Sequence, residues 1–311
     1  MKNIYVIGGA NIDMYAKSEK KIIPYDSNIG DISFEFGGVA RNIAENIRNL
    51  GGDVNFVSAI GYDAYGEKMV EDLTNKGINI DLSFRTNDYN SSTYLAILDE
   101  NDMYVAINDM KIIECIDTNF LETIKDRINE DDLVILESNL NKESIDYICD
   151  NFKGKKVADA ISCNKVMRLK DSIGKLDIIK LNKLEADMLN GGELKDEKDI
   201  LLFTRKLNTL GTKEVLISYK NNLYIGKDNK LFVYKHDGYK DNPVNVSGAG
   251  DALLSGYCYS RFKNKDILDS ASVGMALSIL TVDDIKPVTN TNVEKVYEVL
   301  NTINISQREV K

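Results

Sequence analysis

The run Asn245-Val246-Ser247-Gly248-Ala249-Gly250-Asp251 leads directly into an apolar-periodic stretch, ALLSGYCYSRF. A glycine-rich turn that opens a helix leaves the first backbone N–H groups without intrahelical partners. It aims them, with the positive end of the helix dipole, at one point. The amides of Gly248, Ala249 and Gly250 can hold an anion there, and the small side chains let it come close. Asp251 at the same terminus is placed to take a proton from a hydroxyl while the amides hold a transferring phosphoryl group. The same residues also read as an ordinary helix start capped by Ser247 or Asp251.

Three further segments carry polar groups at strand or helix ends. Asn182 and Glu185, in KLNKLEADML, are spaced i, i+3 after the apolar run DIIKL. They suit a hydrated magnesium ion beside nucleotide phosphates, or equally a capping box at a helix start. Gly37-Gly38 opens the amphipathic run VARNIAENIRNLG, with Asn42 in its first turns. The first apolar run, IYVIGG, is followed by Asn11 and Asp13 in GGANIDM, and the carboxyl end of a strand is the ligand side of an open sheet. Each also reads as a plain turn.

The elements that must hold these groups form a regular alternation. Apolar runs at 4–9, 53–61, 133–138, 155–160, 177–182 and 214–219 predict buried strands. Helical patterns at 37–51, 65–77, 141–152, 182–191 and 197–211 lie between them. Strand, helix, strand at this spacing predicts an α/β fold: a doubly wound, mostly parallel sheet flanked by helices. Two stretches, about 13–36 and 88–110, alternate like strands with no helix between. The second carries a hairpin turn around Asp99-Glu100-Asn101-Asp102. They predict a small β lid over the mouth of one α/β unit spanning 1–311. From Gly248 onward the pattern is mainly helical, and the tail SQREVK is the one segment expected to be disordered.

Composition narrows the function classes. The 311 residues are 43% hydrophobic and 28% charged, with a net charge of −10. An acidic surface argues against nucleic acid or an anionic membrane as partner. No apolar run spans a bilayer. Four scattered cysteines and one histidine, His236, exclude a zinc framework and histidine triads, and point to a reduced, cytoplasmic protein. His236 sits in an alternating Tyr/Lys segment and reads as a surface or strand histidine.

In this order and spacing the four segments resemble the PfkB, or ribokinase-like, carbohydrate kinase family over essentially the whole chain. The resemblance implies ATP-dependent phosphorylation of a sugar or nucleoside hydroxyl, with ATP and Mg²⁺ as cofactors. It implies that Asp251 is the catalytic base and Gly248, Ala249 and Gly250 the anion hole, with Ser247 beside the nucleotide. Asn182 and Glu185 correspond to the pair positioning magnesium and phosphate, and Ser218 to a strand-end contact to the nucleotide. Asp13, Asn11, Gly38 and Asn42 correspond to acceptor contacts. Asn245 stands where many members carry an Asp at a monovalent-cation site, which makes K⁺ a candidate cofactor. The segment after Ser218, YKNNLYIG, lacks the family's usual glycine.

Finer features resemble the pseudouridine-phosphorylating branch of the family: GGANID, DSNIG, GGVARNIAEN, VAINDM and DAISCNKVMRL. On that resemblance Asn28, Thr93, Asn108 and Lys165 become candidate acceptor contacts. The acceptor would be a ribosyl 5′-hydroxyl. Ribose, fructose or a purine nucleoside are the alternatives, as is a non-catalytic binding protein on this scaffold. A lid sheet with open edges also makes a homodimer through the lid an expectation.

Overall fold

The computed structural model describes residues 2–99, 102–238 and 246–310. In chain order the first strands are β1 (Ile4–Ile7), β2 (Asn11–Ser18), β3 (Gly30–Gly37), β4 (Val54–Val57), β5 (Ala59–Gly61), β6 (Phe84–Thr86), β7 (Thr93–Asp99) and β8 (Asp102–Asp109). They are followed by β9 (Leu133–Glu137), β10 (Lys155–Asp159), β11 (Ile178–Asn182), β12 (Glu214–Tyr219), β13 (Asn222–Lys227), β14 (Lys230–His236) and β15 (Ile305–Val310). The helices are α1 (Val39–Asn49), α2 (Ala64–Asn75), α3 (Thr118–Ile124), α4 (Lys142–Asn151), α5 (Cys163–Val166), α6 (Lys183–Asn190), α7 (Glu197–Leu210), α8 (Ala249–Phe262), α9 (Ile267–Val282) and α10 (Val293–Leu300).

Nine strands form one sheet, in the order β15-β14-β13-β12-β11-β10-β9-β1-β4. From β4 to β12 the pairings are parallel. Such strands are buried on both faces, and their sequences are accordingly apolar throughout rather than alternating. In β1, Ile4 and Val6 join the core under α1, α2 and α8, whereas Tyr5 and Ile7 join the core under α3, α4 and α7. The fold is therefore the expected α/β architecture with helices on both faces. The chain runs from β1 to β4 on one side and returns to β9 on the other. The carboxyl ends of β1 and β9 thus flank the switch point where open sheets bind ligands.

A second sheet, in the order β3-β2-β7-β8, is made from the two β segments. Side chains alternate across its pleat. One face carries Asn11, Asp13, Tyr15, Glu35 and Asn108 toward the cleft, and the other carries Met14, Ile32, Phe34, Val105 and Ile107.

The last third departs from its expected helical character at its end. Residues 306–310 of the tail expected to be disordered belong to β15 (Ile305–Val310), which pairs antiparallel with β14 over six residues. The segment is polar because this edge strand exposes most of its side chains, and a polar edge strand has no local signature apart from its partner. His236 is the last residue of β14 and is buried, and burial depresses its pKa to about 4. Truncation after Asn304 removes this pairing. It should lower the thermal midpoint by about 2–4 °C for each kcal/mol lost, as scanning calorimetry would measure, with β14 left as an open edge.

Candidate active site

Seven of the helices begin with a side-chain cap, from Asp63, Asp117, Asn141, Asn182, Asp196, Asp266 and Asn292. The two long helices that start at the cleft do not. α1 starts at Gly38 (φ 98°) and α8 at Gly248 (φ 79°), and neither has a side-chain cap. The alternative in which Ser247 or Asp251 caps α8 is thereby removed. A side chain would not fit at either glycine. A Cβ on Gly38 would lie 2.6 Å from the Gly9 carbonyl oxygen, and one on Gly248 2.1 Å from that of Pro287.

The two helix starts meet through one bond. Asn42 Nδ2 donates to Asp251 Oδ2 at 2.9 Å. Asp251 is 8% exposed. Burial pushes its carboxyl up to about 7, with Asp159 and Glu137 adding to the shift, and Lys180 and the Asn42 bond opposing it. Ionised Asp251 therefore lies at the edge of neutral pH, where a base is most useful.

A cleft of about 570 Å³ opens above this pair. Its lining includes the sequence-predicted Asn11, Asp13, Gly38, Asn42, Asn108, Lys165, Ser247, Gly248 and Asp251. Asp13 projects from β2 against Gly37, where a Cβ would come within 2.0 Å of Oδ2, so the glycine pair serves the carboxylate as well as the helix. Burial pushes the Asp13 carboxyl up and Glu35 adds to it, against the Asn11 hydrogen bond and the Arg41 charge. Asn11 Oδ1 is buried and has no hydrogen-bond partner among the described residues. The acceptor end of the cleft thus holds a carboxylate and an unsatisfied carbonyl, a fit for hydroxyls. Lys165 Nζ donates to Asn139 Oδ1, and burial lowers the Lys165 pKa.

The remaining predicted residues lie elsewhere. Asn182 and Glu185 form the capping box of α6, the amide donating to Glu185 Oε1 at 2.6 Å and the backbone N–H to Oε2 at 2.7 Å. Ser218 is paired opposite Asn182 at the end of β12. Asn182 and Ser218 lie at strand ends and Glu185 in the first turn of α6, and none of the three is part of the cleft lining. Asn28 bonds to Ile23 and Asp26 and closes a turn in the lid. Thr93 donates to the Ser91 carbonyl. Neither reaches the cleft. Asn245 lies outside the described residues.

Sequence reasoning passed over Glu137, Asn139, Asp159 and Lys180. Glu137 is fully buried at the end of β9 and accepts from the N–H groups of Gly9 and Asn139. Burial pushes it up to about 7. The usable signal was a charged residue closing an apolar strand. Ile161, which also lines the cleft, has φ 60°, a strained value for a β-branched residue.

An uncapped helix start beside a buried carboxylate, under a sheet lid, is an arrangement for activating a hydroxyl next to an anionic group. A family model for pfkB family carbohydrate kinases matches residues 1–292. The chain belongs to the pfkB family of carbohydrate kinases. Among pfkB relatives, pseudouridine kinase of Escherichia coli is 31% identical over 261 residues, covering 81% of this chain and 82% of that enzyme. The ribokinase of Bacillus subtilis is 25% identical, covering 86% and 88%. The solved carbohydrate kinase of Agrobacterium tumefaciens superposes with a TM-score of 0.86 at 25% identity, over 99% and 100% of the two chains. Arabidopsis thaliana ribokinase, solved with ribose and ATP, shares the fold at 18% identity with a TM-score of 0.77, over 96% and 99%. As a pfkB kinase the protein is a phosphotransferase acting on a sugar hydroxyl. No helix among the described residues is long and apolar enough to cross a membrane.

Substituting Gly38→Ala puts a Cβ against the Gly9 carbonyl at a left-handed φ. It should cost about 1 kcal/mol or more of stability in urea titrations.

Proposed function

We propose that this kinase transfers the γ-phosphoryl group of ATP to the 5′-hydroxyl of a ribosyl acceptor, pseudouridine before ribose, fructose or a purine nucleoside. The observation that carries this reading is the uncapped start of α8, with Asp251 buried beside it and bonded to Asn42. The pseudouridine preference is supported by the 31% identity to the E. coli enzyme.

In this reading Asp13, Asn11 and Asn42 hold the ribose hydroxyls, while Asn108 and Lys165 face the base. Asp251 takes the proton of the 5′-hydroxyl as that oxygen attacks the γ-phosphorus in line, and ADP leaves. The amides of Gly248, Ala249 and Gly250 stabilise the charge on the transferring oxygens. Ser218 and Ser247 lie toward the nucleotide. No group of three or more His, Cys, Asp or Glu side chains is arranged to hold a metal among the described residues. Magnesium would be carried in on the nucleotide with most of its waters, as is usual for that ion. Asn182 and Glu185 are the residues that would face those waters, and the ion would supply charge neutralisation at the phosphates. The lid excludes water from the transfer.

Asp251→Asn should lower kcat by about 10²–10⁴-fold while acceptor-induced thermal stabilisation persists. Near-normal turnover would remove Asp251 as the base. A steady-state panel with pseudouridine, uridine, adenosine, ribose and fructose should give the highest kcat/KM for pseudouridine. Because only the carboxylate form accepts the proton, kcat/KM should fall about tenfold per unit as pH drops below about 7.

We also infer that two copies pair through the lid. Ile32 (79% exposed) and Ile107 (64% exposed) stand on its outer face with Phe34 and Val105, an apolar patch of the kind that marks an interface. Light scattering should report a dimer, and Ile32→Asp with Ile107→Asp should yield monomers. A monomeric parent protein would refute the pairing.

A further inference from the structure

Three charged side chains lie in one row across the carboxyl end of the main sheet. Asp159 on β10 is in register with Glu137 on β9 and with Lys180 on β11. Alternation along each strand points all three to the face covered by α1 and α8, because Ile135, Val157 and Ile178, two positions earlier, belong to that core. Lys180 and Asp159 are 5% and 1% exposed, and Lys180 Nζ lies 3.1 Å from Asp159 Oδ2. The ammonium is pressed against the anion turn. A Cβ on Gly250 would lie 2.6 Å from Lys180 Nζ and 3.3 Å from its Cε. The other oxygen of Asp159 accepts from the N–H of Ile161 at 2.9 Å, the strained residue that lines the acceptor end of the cleft. A buried ion pair is a costly way to gain stability, since desolvation offsets most of the attraction. Its position directly under Gly250 and Asp251 calls for a different role.

We propose that the Lys180–Asp159 pair positions the catalytic base: Asp159 holds the Lys180 ammonium against Gly250, and the two opposite charges together set the field in which Asp251 ionises. The inference rests on Asp251 being the base. The charged and polar groups facing Asp251 are Asn42 from α1, Glu137 from β9, Asp159 from β10 and Lys180 from β11. Glu185 from α6 faces Lys180 in turn. The effects on the Asp251 carboxyl have opposite signs, Asp159 raising its pKa and Lys180 lowering it.

The test is the acid limb of kcat/KM for pseudouridine with saturating MgATP. In Lys180→Met the limb should move to higher pH, and in Asp159→Asn to lower pH, each by about one unit or more. In the double variant, which removes both charges at nearly constant volume and so keeps the fold if a single variant fails, it should return toward the parent value. Gly250→Ala, which displaces the ammonium without removing it, should move the limb in the same direction as Lys180→Met. A merely structural pair predicts lower thermal midpoints with an unmoved limb. An unmoved limb, or shifts of one sign in both single variants, overturns the proposal. If Asp251→Asn retains turnover, it is the base assignment that fails. If that variant is inactive and the limb stays put, only this inference fails.

Discussion

The hydrogen bond from Asn42 Nδ2 to Asp251 Oδ2 joins residues 209 positions apart and pins the first turns of α1 and α8 to one another. Each helix gives up a side-chain cap to reach this arrangement. A glycine start leaves N–H donors and dipole charge directed at the cleft, at a local cost of a few tenths of a kcal/mol relative to a side-chain cap. The glycines at both starts are forced by space as well as by φ, since backbone carbonyls of Gly9 and Pro287 occupy the places their side chains would need.

Burial acts on every ionisable group near that bond. Glu137, Asp159, Lys180, Glu185 and Asp251 are all at most 8% exposed. Desolvation raises the carboxyls of Glu137, Glu185 and Asp251. Opposing it are the Lys180 ammonium for Asp251 and Glu185, and backbone N–H groups for Glu137. Lys180 keeps a raised pKa because Asp159, Glu185 and Asp251 outweigh its own desolvation. The charges are mutually conditional, so removal of one changes the protonation of the rest.

The lid follows a separate logic. Its four strands are too few to bury two faces, so one face closes the cleft with polar groups and the other is left apolar. Asp13 and Glu35 are direct cross-strand partners on the cleft face. Two carboxylates at that spacing are unfavourable unless hydroxyls, amides or a cation answer them.

The sequence by itself determined the alternation of apolar strands and amphipathic helices, and with it the α/β class. Periodicity is local, and the parallel strands are apolar on both faces. It also marked Gly248–Asp251, Gly38, Asn42 and Asp13, because each lies in a short motif whose geometry follows from a few neighbouring residues. The finer resemblance added Asn28 and Thr93 as acceptor candidates, yet their side chains are taken up by bonds to backbone a few residues away. Only the tertiary structure decided that Ser247 and Asp251 leave α8 uncapped. It alone drew residues 305–310 into the sheet, and aligned Glu137, Asp159 and Lys180, with the Lys180 ammonium against Gly250. Those three are solitary charges in unrelated strands, and strand register, a long-range property, is what makes them neighbours.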